Sequence, residues 1–515
     1  MDLKSILSGL EGLKVKGSLD VEVNEIRNSS NLVQKGDMFV AIDGFDTDGH
    51  QYIGEAIQKG AKVIMAQADK ITKEMVKELP ENVTFILAPD TRHAVSICAC
   101  NFYKNPSRKL KLIGITGTKG KTTTTFMIKE LLEKQGFKVG LIGTICTYIG
   151  DKNLGDNDRT TPESLELQQL LSRMVEEKCD VAVMEVSSQS LKLGRVDGCE
   201  FEMGIFTNFS KDHISPKEHP DMEDYFASKV KLFTMCKYGY INSDDIYANK
   251  LPKLVPSCKF STYGIDNPTE LLAKDITVTN SSVDFKVKLD GKNQRVKTGI
   301  PGRFSVYNSL AAISVATKFG CSVEIIQEAL LNVRVPGRSE LVDNKKELTI
   351  MIDYAHSPES LENILTTVRE YTQGKVICVF GCGGDRDSGK RPIMGEISGV
   401  LADYTIITSD NPRSEKPEEI VEQIEKGITK TKGSYECIVD RKEAIKKGIE
   451  MLHKKDILVI AGKGHELTQE IKGKKYEFDE RKIVREIIEN LKQNTEQLRR
   501  KYGISNQNNT NFISI

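Results

Sequence analysis

The densest chemistry in this chain lies in ten consecutive residues, Gly114-Ile115-Thr116-Gly117-Thr118-Lys119-Gly120-Lys121-Thr122-Thr123. The apolar run KLIGIT leads into them and TTTTFMIKELLEKQG leads out. Glycines let backbone N–H groups turn toward phosphate oxygens, and a helix N-terminus adds its partial positive charge. Lys121 can reach the terminal phosphates, and the Thr122 hydroxyl can bind Mg²⁺. Gly117, Thr118, Lys119, Gly120, Lys121, Thr122 and Thr123 are therefore the candidate ATP-binding loop. Strict P-loop spacing would put a glycine at 115, where this chain has Ile115. Gly114 stands one residue early, and Gly117 supplies the flexibility.

A nucleotide held this way needs Mg²⁺, and Mg²⁺ needs oxygen ligands. Glu185 follows the apolar run VAVM, at the carboxyl end of an expected strand, where P-loop proteins hold their metal-directed carboxylate. Val186-Ser187-Ser188 after it are small enough for a crowded phosphate site. The chain has seven histidines, and His213, His356 and His465 all fall just beyond expected strands. That recurrence points to function more than to turn capping.

These residues need elements to position them. At roughly 100–200 residues per domain, 515 residues suggest about three domains. The first, 1–103, reads as a small α/β unit with strands in GDMFVAI and AKVIMA. The second, 104–335, alternates strand and helix, with near-continuous apolar strands KVGLIGTI, DVAVMEV and EMGIFTN. Such runs suggest a mainly parallel sheet covered on both faces. Residues 275–300 alternate polar and apolar instead, as antiparallel hairpin strands do. The third domain, 336–515, holds four apolar runs: LTIMIDYAH, KVICVFGCGGDRD, DYTIITSDNPR and DILVIAGKGHE. Each ends in polar, charged or glycine residues, and open α/β sheets bind ligands at the carboxyl ends of their strands. A Rossmann-like fold follows, with a polar tail from about 493.

The bulk composition narrows the function. With 73 basic and 73 acidic residues, the chain lacks the basic excess of a nucleic-acid or anionic-membrane binder. No apolar run approaches 18 residues, so no membrane span is expected. The 11 cysteines are scattered without paired CxxC motifs, which suits reduced thiols in a cytoplasmic protein.

Taken in order, GTKGKTT, TTPESLELQ, MEVSS, GRV, TNFSKDH, YFASKVKLF, GRFSVYNSLAA, VPGRSE, DYAHSPESLE, GCGGDRDSGKRPIMG, SDNPR and AGKGHE resemble the motifs of the Mur ligases. These are ATP-dependent amide-forming enzymes of bacterial cell-wall synthesis, and the match covers nearly the whole chain. The motifs look most like those of the member that adds the third stem-peptide residue to UDP-N-acetylmuramoyl-L-alanyl-D-glutamate. The resemblance implies roles residue by residue. Ser30, Thr160, Thr161, Ser187 and Arg195 fall on positions that bind the uridine substrate. Glu185 and His213 match metal ligands, and Lys229 matches a lysine that the family carbamoylates. Lys121, Glu185, His213 and Lys229 thus form the candidate catalytic set. Thr122, Glu185, His213 and carbamoylated Lys229 would hold Mg²⁺. Asn308 and Arg338 match adenosine-binding positions, and Asp353 lies in the motif that meets the ribose. Arg386, Asp410, Asn411, Pro412, Arg413, Gly462 and Glu466 match the pocket for the incoming amino acid. The resemblance also implies a chain that acts as a monomer on small molecules.

The residues themselves speak to that amino acid. Two guanidinium groups, Arg386 and Arg413, favour a carboxylate and repel an ammonium. meso-Diaminopimelate ends in an amino-acid head, whereas lysine ends in an ammonium alone. A lysine-adding or folylpolyglutamate-type ligase, and a nucleotide-binding paralogue without ligase activity, are the alternatives. The chain departs from the family at Gln189, where a histidine is usual after the paired serines, and at Asn31, where an arginine is usual. The segment between His213 and Lys229 is two residues longer than is common.

Overall fold

The structure is a computed structural model that describes residues 1–45, 47–72, 80–211, 214–215, 218–342 and 348–502, with only the backbone of 156 and 494–502. His213 lies outside the described residues. The chain forms two compact units. One comprises residues 1–272 with 307–326, the other residues 273–306 with 327–515.

The first unit contains two sheets among the described residues. Near the N-terminus, five strands run in the order Lys14–Lys16, Thr84–Ala88, Val63–Gln67, Met38–Val40, Ile26–Arg27. Only the first pairing is antiparallel. The expected strands in GDMFVAI and AKVIMA are present. Val63 to Ala66 are wholly buried, because this strand has a neighbour on each side and side chains covering both faces.

The larger sheet has nine strands, with Lys111–Thr116 between Phe201–Phe206 and Val181–Glu185. Pairing is parallel from Leu271–Leu272 through Lys259–Gly264, Cys236–Asn242, Phe201–Phe206, Lys111–Thr116 and Val181–Glu185 to Val139–Ile142. Two antiparallel strands, Cys146–Ile149 and Lys152–Asp156, complete the edge. The central strands are near-continuous apolar runs because both their faces are covered. Glycines admit the covering side chains closely: a Cβ at Gly140 would stand 2.4 Å from Met174 Sδ. The helix Lys121–Lys134 buries Met127, Ile128, Leu131 and Leu132. Phe126 is half-buried and meets the Tyr148 ring edge-on at 6.4 Å.

In the second unit, residues 275–300 form the expected antiparallel strands, Lys274–Val278, Val283–Leu289 and Lys292–Thr298. A six-stranded sheet runs Glu340–Leu341, Thr349–Asp353, Ile457–Ala461, Val376–Phe380, Tyr404–Ile407, Ser434–Cys437. All its pairings are parallel except the first. The four apolar runs read from the sequence are its four inner strands. The last helix, Glu480–Tyr502, continues past residue 493, so the first part of the expected polar tail is helical. Residues 503–515 lie outside the described residues.

Ten of the 11 cysteines are buried, Cys437 is exposed, and all are free. Among the described residues, no helix is long and apolar enough to cross a membrane.

Candidate active site: a phosphate loop and an arginine pocket

The phosphate loop leaves the sheet at the carboxyl end of Lys111–Thr116, between the strands that deliver Glu185 and Thr207. Strand order reverses across such a point, and the crevice it opens is where α/β sheets bind ligands. Gly117 has φ 142° and Gly120 φ 85°. A Cβ at Gly117 would lie 1.9 Å from Thr207 Oγ1, and one at Gly120 would lie 2.5 Å from Asn308 Oδ1. Both glycines are thus fixed by backbone conformation and by crowding. Asn208 braces the loop: its side-chain oxygen accepts from Lys119 N–H at 2.9 Å, and its backbone carbonyl accepts from Thr118 N–H at 2.9 Å. Lys121 Nζ donates to the carbonyls of Gly117 and Thr118, at 2.9 and 3.0 Å. The lysine therefore lies folded over the loop it serves.

Glu185 is 1% exposed. Its Oε2 accepts from the hydroxyls of Thr122 at 2.9 Å and Thr144 at 3.0 Å, and its Oε1 accepts from Thr144 N–H at 2.8 Å. Lys229 comes from the helix Met222–Thr234, one turn after Tyr225. Its Nζ is buried, donates to Gly117 O at 2.9 Å, and sits 4.5 Å from the Tyr225 ring centre. The Tyr225 hydroxyl is 3.2 Å from Thr118 Oγ1. Thr122, Glu185 and Lys229 thus converge on one loop. A buried carboxylate beside a threonine hydroxyl, at the candidate phosphate loop, is the hard oxygen donor set that Mg²⁺ selects. Those residues fit the ion, and His213 cannot be placed with them.

A cavity of about 260 Å³ opens beside this cluster and is lined by Lys121, Lys229, Thr160, Thr161, Ser187 and Arg195, among others. Four of the five residues expected at the uridine substrate are therefore together and next to the phosphate loop. Thr161 links them, donating to Glu185 O at 2.9 Å and accepting from Ser187 N–H at 3.1 Å. Arg195 donates to Thr161 O at 3.2 Å and pairs with Glu163 at 2.9 Å. Ser30 is not in this cavity. Its hydroxyl donates to Glu55 Oε2 at 2.9 Å in the N-terminal sheet region.

Asn308 belongs to the first unit, and Arg338 and Asp353 to the second. Arg338 lies over the Tyr354 ring at 4.9 Å, and Asp353 Oδ2 accepts from Ser339 N–H at 2.7 Å. Burial pushes the Asp353 carboxyl above its usual range. His356 and His465 both pack on Tyr354, with ring centres at 4.5 and 4.8 Å.

The second unit also gathers the expected amino-acid pocket. Its residues come from loops after three adjacent strands, Val376–Phe380, Tyr404–Ile407 and Ile457–Ala461. Arg413 donates to Gly384 O at 2.7 Å, and a Cβ at Gly383 would lie 2.9 Å from Arg413 Nη1 and 3.9 Å from Arg386 Cγ. The two arginines therefore flank Gly383. Asn411 Nδ2 donates to Glu466 Oε2 at 2.7 Å, and a Cβ at Gly462 would stand 2.4 Å from Asp410 Oδ2. Pro412 closes on the same loop, its carbonyl 1.9 Å from where a Cβ at Gly384 would be. Buried Arg391 grips Glu415 with both terminal nitrogens, at 2.7 and 2.8 Å, and donates to Gly383 O at 3.1 Å. That pairing holds the Glu415 carboxyl down to about 2.

Several residues here escaped sequence reasoning. Thr144 lies just past the strand Val139–Ile142, beside the strand of Glu185, so the carboxyl-end rule was its available signal. Tyr225 and Asn208 offered none beyond their motifs. Lys463 is fully buried and donates to both Asn411 Oδ1 and Glu466 Oε2 at 2.9 Å. A lysine between two glycines gives no hint of that burial.

Comparison with known proteins agrees with this geometry. The family descriptions "Mur ligase family, catalytic domain", "Mur ligase middle domain" and "Mur ligase, glutamate ligase domain" match residues 22–103, 115–316 and 337–464. The UDP-N-acetylmuramoyl-L-alanyl-D-glutamate–2,6-diaminopimelate ligase 1 of Clostridium acetobutylicum is 46% identical over 494 residues, 95% of this chain and 100% of that protein. The ligase of the same name from Clostridium perfringens is 46% identical over 495 residues, with the same coverage. A solved structure of a diaminopimelate ligase of this name superposes with a TM-score of 0.69 at 28% identity, covering 96% of this chain and 99% of its own. Likeness over nearly the whole of both chains joins the phosphate loop and the arginine pocket in one lineage, and the chain belongs to the Mur ligase family.

Proposed function

We propose that this protein is an ATP-dependent ligase that joins meso-diaminopimelate to UDP-N-acetylmuramoyl-L-alanyl-D-glutamate, in the cytoplasm, during peptidoglycan precursor synthesis. The full-length relatives carry that activity in their names. The observation that carries the reading for this chain is the pair Arg386 and Arg413 flanking Gly383. Two guanidinium groups there match the distal carboxylate that diaminopimelate has and lysine lacks.

The chemistry follows from what each residue can do. Lys121 and the loop N–H groups hold the ATP phosphates. Mg²⁺, when bound, neutralises charge on the transferring phosphoryl group; Thr122 and Glu185 would hold it, together with His213 and Lys229. A bare Lys229 ammonium would repel the ion, whereas its carbamate adds an anionic oxygen, so Lys229 acts as the carbamoylated form. Thr160, Thr161, Ser187 and Arg195 hold the peptide end of the uridine substrate, with Ser30 at its nucleotide end. The substrate carboxylate attacks the γ-phosphorus, ADP leaves, and an acyl phosphate forms. Asn308, Arg338 and Asp353 keep the adenosine in place. Asp410, Asn411, Gly462 and Glu466 then orient diaminopimelate so that its amine attacks the acyl carbon and phosphate departs. Stabilising charge on the moving phosphoryl group is the largest task, and preorganised cations do it.

Mass spectrometry of the reaction products tests this reading. ATP, Mg²⁺, the uridine dipeptide and meso-diaminopimelate should yield the uridine tripeptide and ADP. No tripeptide from folded protein would contradict it. Intact mass at neutral pH should also show one CO₂ on the wild type that is lost in Lys229→Ala.

A further inference from the structure

The ligase cavity has a chain of groups behind its wall, from buried Ser188 and His219 to half-exposed Asp224, that the mechanism above does not use. Ser188 lines the cavity with Lys121 and Lys229. His219 Nε2 lies 2.9 Å from Ser188 Oγ, and His219 Nδ1 lies 2.6 Å from Asp224 Oδ2. His219 is fully buried and packs on the Tyr225 ring at 4.9 Å. It comes from the segment before the helix Met222–Thr234, and Asp224 from that helix's first turn. Two elements outside the phosphate loop thus converge on one serine.

The hydrogen-bond partners order the protons along this chain. Asp224 Oδ2 also accepts from Lys192 Nζ at 2.8 Å, and that bond holds the carboxyl below its usual range. An ionised carboxylate can only accept, so His219 Nδ1 carries a proton. Burial pushes the imidazole pKa down, toward the neutral ring, and a neutral ring protonated at Nδ1 offers Ser188 the Nε2 lone pair. The Ser188 hydroxyl must then donate its single proton to Nε2. What it can still offer a ligand is lone pairs alone.

We propose that Ser188, locked by His219 and Asp224, is the hydrogen-bond acceptor for the alanyl–glutamyl N–H of the substrate whose carboxylate is activated. This rests on the ligase reading and sharpens it. Lys121 and Arg195 suit phosphates, carboxylates and carbonyls, whereas the peptide N–H needs an acceptor. Among the lining hydroxyls, Thr161 and Ser187 already accept backbone N–H groups at 3.1 Å each, while Ser188 gives its proton to a buried imidazole. The carboxylate must lie near Lys121 to meet the γ-phosphate, which puts the neighbouring amide a few bonds away in a cavity of about 260 Å³. Asp158, Glu218 and Gln189 also bring acceptor oxygens to the cavity, but Asp158 is exposed and the other two half-buried, whereas Ser188 is buried at the wall. A desolvated N–H without an acceptor is costly, so a fixed neutral acceptor discriminates sharply. Ser188 is the contact residue; His219 and Asp224 are positioning residues.

Calorimetry with the full-length protein tests this. The ligands are the uridine dipeptide and its ester analogue, in which oxygen replaces the alanyl–glutamyl N–H. Wild type should prefer the amide by about tenfold or more. Ser188→Ala should weaken amide binding and reduce the amide-to-ester ratio to near one. His219→Gln, whose side-chain oxygen can take the Ser188 proton, should keep most of the ratio, and His219→Leu should lose it. ATP affinity should be unchanged in all three. Equal wild-type affinities for amide and ester, a full ratio in Ser188→Ala, or His219→Gln losing as much as His219→Leu would each overturn this proposal alone. A wild type that binds no dipeptide at all would overturn the ligase reading and this proposal with it.

Discussion

The phosphate loop and the amino-acid pocket solve different problems with different materials. The loop is contiguous and made largely of backbone. Its glycines take conformations that side chains resist, and Asn208 and Thr207 pin it from the next strand. The pocket is assembled from three loops, 383–386, 410–413 and 462–466, and made of side chains. Its charges are braced by others: Arg391 on Glu415, and Lys463 on Asn411 and Glu466. A phosphate is the same in every nucleotide, so a rigid backbone cradle suffices. An amino acid must be told from its relatives, which takes directional side chains.

That contrast orders the expected effects of substitution. Lys121→Ala should reduce turnover by about 10³-fold or more with the fold retained, because it removes the cation that meets transferring charge. Circular dichroism alongside a coupled ADP assay checks it. Arg413→Ala should raise KM for diaminopimelate on the order of 10²-fold and leave KM for ATP alone. A rise in both would mean that the two regions are not separable. Gly117→Ala should lower stability by about 1–3 kcal/mol, since its Cβ would meet Thr207 Oγ1 at 1.9 Å. It should also weaken ATP binding, measured by calorimetry, without touching amino-acid affinity.

The smallest effect belongs to Glu415→Gln. Arg391 lowers the Glu415 carboxyl from its ordinary 4.5 to about 2. A depressed carboxyl stabilises the fold above its unfolded value, and that contribution fades as pH falls from about 4.5 through about 2. Glu415 is partly exposed, so the variant should lose only about 1–2 kcal/mol at neutral pH. Denaturant midpoints of the variant and the wild type should converge toward pH 2. A gap that persists there would break the assignment.

The same contrast explains what the sequence made legible. The parallel strands and the loop were readable because buried strands are unbroken apolar runs and the phosphate motif is continuous. Cys236–Asn242, Lys259–Gly264 and Ser434–Cys437 were not, because these strands lie at or toward a sheet edge and carry exposed polar residues that interrupt the pattern. Arg386 and Arg413 stood out through their motifs, but Lys463 and Arg391 did not, since burial of a charge is decided by partners distant in sequence. Gln189 and the longer segment before Lys229 were visible as departures from the family. Only the structure shows that His219, from that segment, reaches Ser188 beside Gln189.

The central claim, that the arginine pocket selects diaminopimelate for an ATP-driven ligation, is tested most directly by phosphate release. ATP, Mg²⁺ and the uridine dipeptide should be supplied with meso-diaminopimelate, with L-lysine, or with no amino acid. Sustained release with diaminopimelate alone is the predicted result. Equal or faster release with lysine would leave the phosphate loop in place and contradict the role given to Arg386 and Arg413.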